Sequence, residues 1–385
     1  MRRNDFFFAV LLGLPVLTIA AATVPLSGSA PVRVAAVSHA HAAPGDPSAD
    51  PSADPSGVPP ADPSADPSAD PSADPSGAPS AQPSATAAAP TAAPTAAPTG
   101  PTPADFIDIR QVPPKRNGVR PGRGASRGTF VSRCGRNQNG HRNPDNFIVA
   151  PGVSNGAHHT HDYVGNLSTD GFSTDQTLLA AGTTCSGGDK SVYFWPVLRV
   201  TTPGDTSGQD GNNGTILQPA SVTLQFRGNA VSKVKAMPQF LRVITGDAKS
   251  FTNGPTNARA QWTCTGFTNR ITTKYPVCPR GSQVQRILDF ASCWDGKSID
   301  SANHRTHIVF PDAATGACAT GLTAVPQLRM VLTYNVRQAQ SRAIALDSFP
   351  EQVHSPITDH GDFENVMPAR LMNRATWCIN RGRRC

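Results

Sequence analysis

All eight cysteines of this 385-residue chain fall after its first third, at Cys134, Cys185, Cys264, Cys278, Cys293, Cys318, Cys378 and Cys385. An even number of cysteines behind an export-type segment implies a disulfide framework built in an oxidising compartment. Eight cysteines allow 105 connectivities. Close spacing at loop ends favours neighbour pairing: Cys134–Cys185, Cys264–Cys278, Cys293–Cys318 and Cys378–Cys385. No CxxC pair occurs, which weakens a zinc-ribbon or thioredoxin-like reading. Full pairing also removes a free thiol as nucleophile.

The segment ahead of the cysteines falls into three parts. Residues 1–43 read as a signal peptide or membrane anchor. Arg2 and Arg3 precede an apolar run from Phe6 to Leu26, and Ala40-His41-Ala42 forms an A-x-A pattern before Ala43. Residues 44–103 repeat Pro-Ser-Ala-Asp and then Ala-Ala-Pro-Thr, with no Leu, Ile or aromatic residue. Such a composition cannot offset chain entropy, and dense proline biases it toward an extended stalk. Residues 104–127 place Lys115, Arg116, Arg120, Arg123 and Arg127 among Gly and Pro, and read as a basic flexible arm dispensable for folding. Three of the 34 Lys and Arg, and eight of the 27 Asp and Glu, precede residue 104, so the remainder carries a formal charge of +12. That surplus favours anionic polymers as neighbours. Without aromatic interleaving in the arm, and with export, nucleic acid is excluded as a partner. Apart from an N-terminal anchor, no membrane association is expected.

Residues 128–385 read as a mainly β domain, an antiparallel sandwich or barrel-like sheet with long loops and few short helices. Runs such as Ser191–Val200, Ser221–Phe226, Phe240–Ile244, Thr306–Phe310 and Leu328–Val336 are rich in β-branched and aromatic residues, and turn residues separate them. Helices are expected at 173–181, capped by Ser173, and at 368–379, with Pro368 at the first position. No glycine-rich phosphate loop follows a strand, and no G-x-S-x-G elbow is present.

Candidate chemistry resides in three groups where His adjoins carboxylate. The first is Ala157-His158-His159-Thr160-His161-Asp162, in which His159 and His161 would share a strand face, as two ligands of one metal require. The second runs from Asp295 through Asp300 and His304 to His307. The third holds His354 and Asp359-His360-Gly361-Asp362. We read His159, His161 and His307 as candidate ligands of one divalent metal. Asp295, Asp300, His360 and Asp362 are the candidate acid/base residues. Tyr163 and Trp294 could present rings to a substrate, whereas Trp195 lies in an apolar strand and suits a core.

These segments resemble the secreted family catalogued as domain of unknown function nineteen-ninety-six, found in fungi and bacteria. The resemblance rests on Ile148-Val-Ala-Pro-Gly152, His159-Thr-His-Asp-Tyr-Val-Gly-Asn166, Tyr193-Phe-Trp-Pro-Val197, Cys293-Trp-Asp-Gly-Lys297, Asp300-Ser-Ala-Asn-His-Arg-Thr-His307 and His360-Gly-Asp-Phe363. The chain departs from it at Asn146-Phe147, where the family often has Asp-Pro. The resemblance implies a role at the cell wall or on extracellular polysaccharide. Two functional expectations follow. One is a secreted or cell-surface protein that binds or acts on polysaccharide, as a hydrolase or lyase if it is an enzyme. The other is a non-catalytic binding or structural module displayed on a stalk.

Overall fold

A computed structural model describes residues 100–385 with the exception of Asn117. The export segment and nearly all of the proline-rich stretch lie outside the described residues. Two five-stranded antiparallel sheets organise the domain. The first, called here the site sheet, runs in the order Arg142–Asn143, His161–Gly165, Val192–Pro196, His360–Glu364, Arg242–Gly246. The second runs Trp262–Cys264, Val284–Asp289, Gln327–Tyr334, Ser221–Arg227, Thr129–Ser132. Smaller two- and three-stranded sheets surround them.

The three central strands of the site sheet are buried at every position, so they lack the polar–apolar alternation of a sheet with one wet face. Cross-strand register sorts their side chains. Tyr163 stands opposite Phe194, and Phe194 opposite Asp362, which in turn faces Ile244. With period two, His161 and His360 share that face. The other face carries Val164, Tyr193, Trp195, Val243 and Phe363, which belong to the main core together with Leu224, Phe226, Leu288, Met330 and Leu332 of the second sheet. The Phe363 ring lies 6.0 Å from Phe226 and 6.2 Å from Phe290. A smaller cluster, including Phe147, Ile148, Tyr163, Leu178 and Phe194, covers the opposite face. Gly361 allows the two sheets to close: a Cβ there would come within 2.8 Å of Leu288 Cδ1.

The four disulfides are those that neighbour pairing predicts: Cys134–Cys185, Cys264–Cys278, Cys293–Cys318 and Cys378–Cys385. They place the domain in an oxidising environment. The helices are short, with Asp175–Ala180 capped by Thr174 rather than Ser173, and with Pro368 as the N-cap of Ala369–Asn380 rather than its first residue. Among the described residues no helix is long and apolar enough to cross a membrane.

The segment 104–127 corrects the sequence reading. Phe106–Asp108 forms a parallel pair with Tyr275–Val277. Ile109 is fully buried, and Phe106 and Val112 join the main core. Farther on, Ala125 and Ser126 are buried, and Ser126 Oγ donates to the Ser232 carbonyl at 2.9 Å. The density of Lys, Arg, Gly and Pro hid Phe106, Ile109 and Val112, which are enough to fix the segment's start to the domain.

Candidate metal centre

Three imidazoles from two segments far apart in the chain converge on the site sheet's outer face. His161 opens one strand, His360 opens another, and His159 lies in the bend just before the first. One ring nitrogen from each lies within 4.8 Å of the others. His159 Nε2 and His360 Nε2 are 3.2 Å apart. Two nitrogens bound to one tetrahedral ion at about 2.0–2.1 Å would stand roughly 3.3 Å apart. The rings meet edge to face, with centroids 4.6 Å apart for His159–His161, 5.1 Å for His159–His360 and 5.8 Å for His161–His360.

Backbone carbonyls orient two of these rings. His161 Nδ1 donates to the Asp145 carbonyl at 3.0 Å, and His360 Nδ1 to that of Thr358 at 2.9 Å. With the proton on Nδ1, both Nε2 atoms carry a lone pair, the arrangement that a ligating histidine adopts. His161 Nε2 is buried with no hydrogen-bond partner in the protein. His159 Nδ1 also lacks one of normal geometry, although the Ala157 carbonyl is near enough to favour its protonation. Burial holds His159 well below the usual histidine range, and the positive forms of His161 and His360 would repel its own. Burial, then His360, lowers His161 to about 3. Burial lowers His360 as well. All three are therefore neutral at neutral pH, as metal ligation requires.

A cavity of about 260 Å³ opens beside the triad, walled by His159, His360, Asp362, Asn146, Lys249 and Arg305 among others. A larger concavity, about 640 Å³, lies on the outer face of the second sheet around Asp289 and Arg329 and is lined by no histidine. The smaller one is thus the one joined to the imidazoles. Neither carboxylate oxygen of Asp362 has a full hydrogen bond within the protein. Burial pushes its pKa up to about 7, opposed by the Asn146 side chain and Arg305. Among the described residues Lys249 and Arg305 have no carboxylate partner. Lys249 Nζ lies 4.6 Å above the Phe349 ring, and Arg305 donates to the Gly246 carbonyl at 2.7 Å.

The other sequence candidates go elsewhere. His307, expected as the third ligand, spends Nε2 on the Arg242 carbonyl at 2.7 Å and Nδ1 on Ser301 Oγ at 2.9 Å. His360, expected to act in proton transfer, instead converges with His159 and His161. Asp295 accepts from the Lys297 and Ser298 amides at 2.8 and 2.9 Å and shapes that turn. Asp300 holds His304 at 3.0 Å and approaches Arg242 at 3.9 Å. His354 sits against the Leu346 and Gly211 carbonyls. Tyr163 is buried: its hydroxyl donates to the Asp145 carbonyl at 2.8 Å, and its ring stacks on Phe194 at 5.0 Å. It cannot reach a substrate in this arrangement. Trp294 packs on the main core and donates Nε1 to the Ser298 carbonyl at 2.7 Å.

Sequence reasoning missed Asp145, Asn146, Lys249 and Arg305. Asn146 Oδ1 accepts from the Ile148 and Val149 amides, both at 3.1 Å, and so sets the start of the Ile-Val-Ala-Pro-Gly segment. An acceptor just before that segment is the signal that would have marked it.

A family model described as Domain of unknown function (DUF1996) matches residues 146–366. The chain belongs to this family. The match takes in the whole triad, Asp362, and both cavity cations. No curated protein and no solved structure gives a significant match to the chain.

Proposed function

We propose that this DUF1996 domain is a metal-dependent enzyme, secreted or held at the cell surface, that cleaves an extracellular polysaccharide. The reading rests on one observation: three buried neutral imidazoles whose ring nitrogens converge beside a cavity. An all-nitrogen donor set suits zinc, copper or another late transition metal and disfavours calcium or magnesium, which prefer oxygen. Three protein ligands leave a position for water or substrate, the pattern of catalytic rather than structural zinc.

The chain's own residues divide the remaining work. The Asp145 and Thr358 carbonyls fix the tautomers of His161 and His360. Asp362 is a cavity-wall carboxyl free of backbone duties, so it is the group to give or take a proton there. Asp247, in the same wall, is committed to the Lys249 amide at 2.8 Å. When bound, the metal would supply an activated water or polarise a substrate oxygen. The cavity is at the small end for ligand sites, so it fits one unit of a chain or its end. Polysaccharide is supported by the sequence, through the export segment and proline-rich stalk, and by the cationic Lys249 and Arg305, which suit an acidic sugar.

The test begins with elemental analysis of the full exported protein. About one zinc or copper per chain is expected, removable by chelator and absent from His161→Ala. Product release is then measured on uronate-rich and neutral polysaccharides. A protein that takes up no transition metal and cleaves none of them would end this reading and favour the non-catalytic module.

A further inference from the structure

We infer that Arg286 is a positioning residue for the triad, a guanidinium that ties the entry to the His360 strand to the strand that pairs with His161. This rests on the metal-site reading above. Arg286 belongs to the second sheet, not to the sheet that bears the ligands. It is completely buried. Its register partner Leu332 lies in the main core, which puts its side chain on the sheet's inward face.

Its donors are divided between the residue just before the His360 strand and the Val192–Pro196 strand that pairs with His161. Nη2 and Nε grip the two oxygens of Asp359 at 2.6 and 3.2 Å. Asp359 immediately precedes His360. Nη1 donates to the Pro196 carbonyl at 2.8 Å, and Pro196 is the cross-strand partner of His161. Nη1 also reaches Tyr334 Oη at 3.2 Å, and the guanidinium lies 5.4 Å from the Trp262 ring centroid. The cation therefore sits behind the triad and holds the start of the His360 strand against the end of the Val192–Pro196 strand that pairs with His161.

Taking a charge out of water is costly, and an apolar replacement of a buried ion pair is often as stable or more so. Fold stability alone is thus a poor reason for a fully buried Arg–Asp pair beside three imidazoles. Fixing the His360 strand against the neighbour of the His161 strand at sub-ångström precision is a better one, because imidazole donors must be placed before an ion arrives. Lysine cannot replace it, having neither the planar fork nor the reach to both partners at once.

The experiment uses the full exported protein, stripped by chelator, and the variants Arg286→Lys, Asp359→Asn and Arg329→Met. Arg329→Met is the control: it removes a bidentate arginine–aspartate pair from the same sheet, but on the outer face, away from the triad. Cobalt(II) titration followed by visible absorption reports affinity and ligand geometry. Imidazole nitrogen NMR of the metal-free proteins reports the tautomers of His161 and His360. Wild type should bind one cobalt ion and show the Nδ1-protonated tautomer at both residues. Arg286→Lys and Asp359→Asn should each bind cobalt about 10–100-fold more weakly, with an altered spectrum and changed His161 and His360 signals. Arg329→Met should match wild type in both readouts. Wild-type-like cobalt binding and imidazole signals in either Arg286→Lys or Asp359→Asn would overturn the inference, as would equal weakening in Arg329→Met. If wild type itself binds no cobalt, the metal reading fails, while the NMR arm still decides whether Arg286 sets the imidazoles. Should one of the two variants not fold, the other carries the test.

Discussion

The two five-stranded sheets treat buried polar groups in opposite ways. On the second sheet charges are answered. Asp289 accepts from Arg329 at 2.6 and 2.5 Å and from Arg227 at 2.7 Å, and Gln261 reaches it at 3.3 Å. Arg286 makes four hydrogen bonds, to Asp359, Pro196 and Tyr334. On and beside the site sheet, His159 Nδ1, His161 Nε2, Asp162 Oδ2, both oxygens of Asp362 and Glu364 Oε1 have no partner in the protein. A buried polar group without a partner costs roughly 1–3 kcal/mol, and folded proteins keep few of them. Of these, His159 and Asp362 line the cavity beside the triad, and they mark the part of the molecule least committed to holding the fold together.

The largest expected effect tests whether stability resides on the second-sheet side. Removing residues 1–127 deletes Phe106, Ile109 and Val112 from the main core. At about 1.5–3 kcal/mol per buried side chain, the loss should be on the order of 5 kcal/mol relative to a protein starting at residue 100. Urea unfolding measures it. Equal midpoints would mean that the arm contributes nothing.

Next comes Asp289→Ala, which leaves Arg227 and Arg329 without their carboxylate. A cost of about 3 kcal/mol is expected at pH 7. Burial pushes the pKa of Asp289 up, but Arg329 and Arg227 outweigh it and hold the group below the ordinary carboxylate value. Its contribution is therefore present above about pH 4 and lost as pH falls through the folded pKa. The gap between variant and wild type should close in acid. A gap that stays constant from pH 7 to pH 3 would contradict this assignment.

Gly361→Ala falls on the seam between the sheets. The added Cβ meets Leu288 Cδ1 at 2.8 Å, so a loss of about 1–3 kcal/mol is expected. Because Gly361 lies between His360 and Asp362, metal uptake should weaken with it. Calorimetry and metal titration would show whether the two losses travel together.

The smallest effect has the opposite sign. Asp362 is raised to about 7 by burial, so the folded state binds its proton more tightly than the unfolded chain. Its contribution is complete below the ordinary carboxylate value and is lost as pH rises through about 7. In chelator-treated protein, Asp362→Asn should be as stable as wild type at about pH 3 and more stable by at least about 1 kcal/mol at pH 8, while the metal-loaded variant loses activity. Destabilisation at pH 8 would show that Asp362 belongs with Asp289 as a structural group.

Several features of this protein follow from the sequence alone. The even cysteine count implied a disulfide framework, and neighbour pairing named the four bridges that form, although Cys134–Cys185 spans 51 residues. Runs of β-branched and aromatic residues specified a mainly β domain. The spacing of His159 and His161 placed both on one face at one strand's start. Which histidine joins that pair was decided by tertiary structure. His307 and His360 both stand near carboxylates in sequence, and nothing local distinguishes them. The difference arises because the His360–Glu364 strand lies next to Val192–Pro196, which pairs with His161–Gly165, whereas His307 is anchored to the Arg242 carbonyl. Strand order is a long-range choice, made by packing across residues far apart in the chain. The same holds for Arg286, whose role depends on two sheets meeting, and for Asp295, whose carboxylate serves a turn in its own loop. Residue types limit what chemistry is available. Register and sheet order determine which of those residues meet.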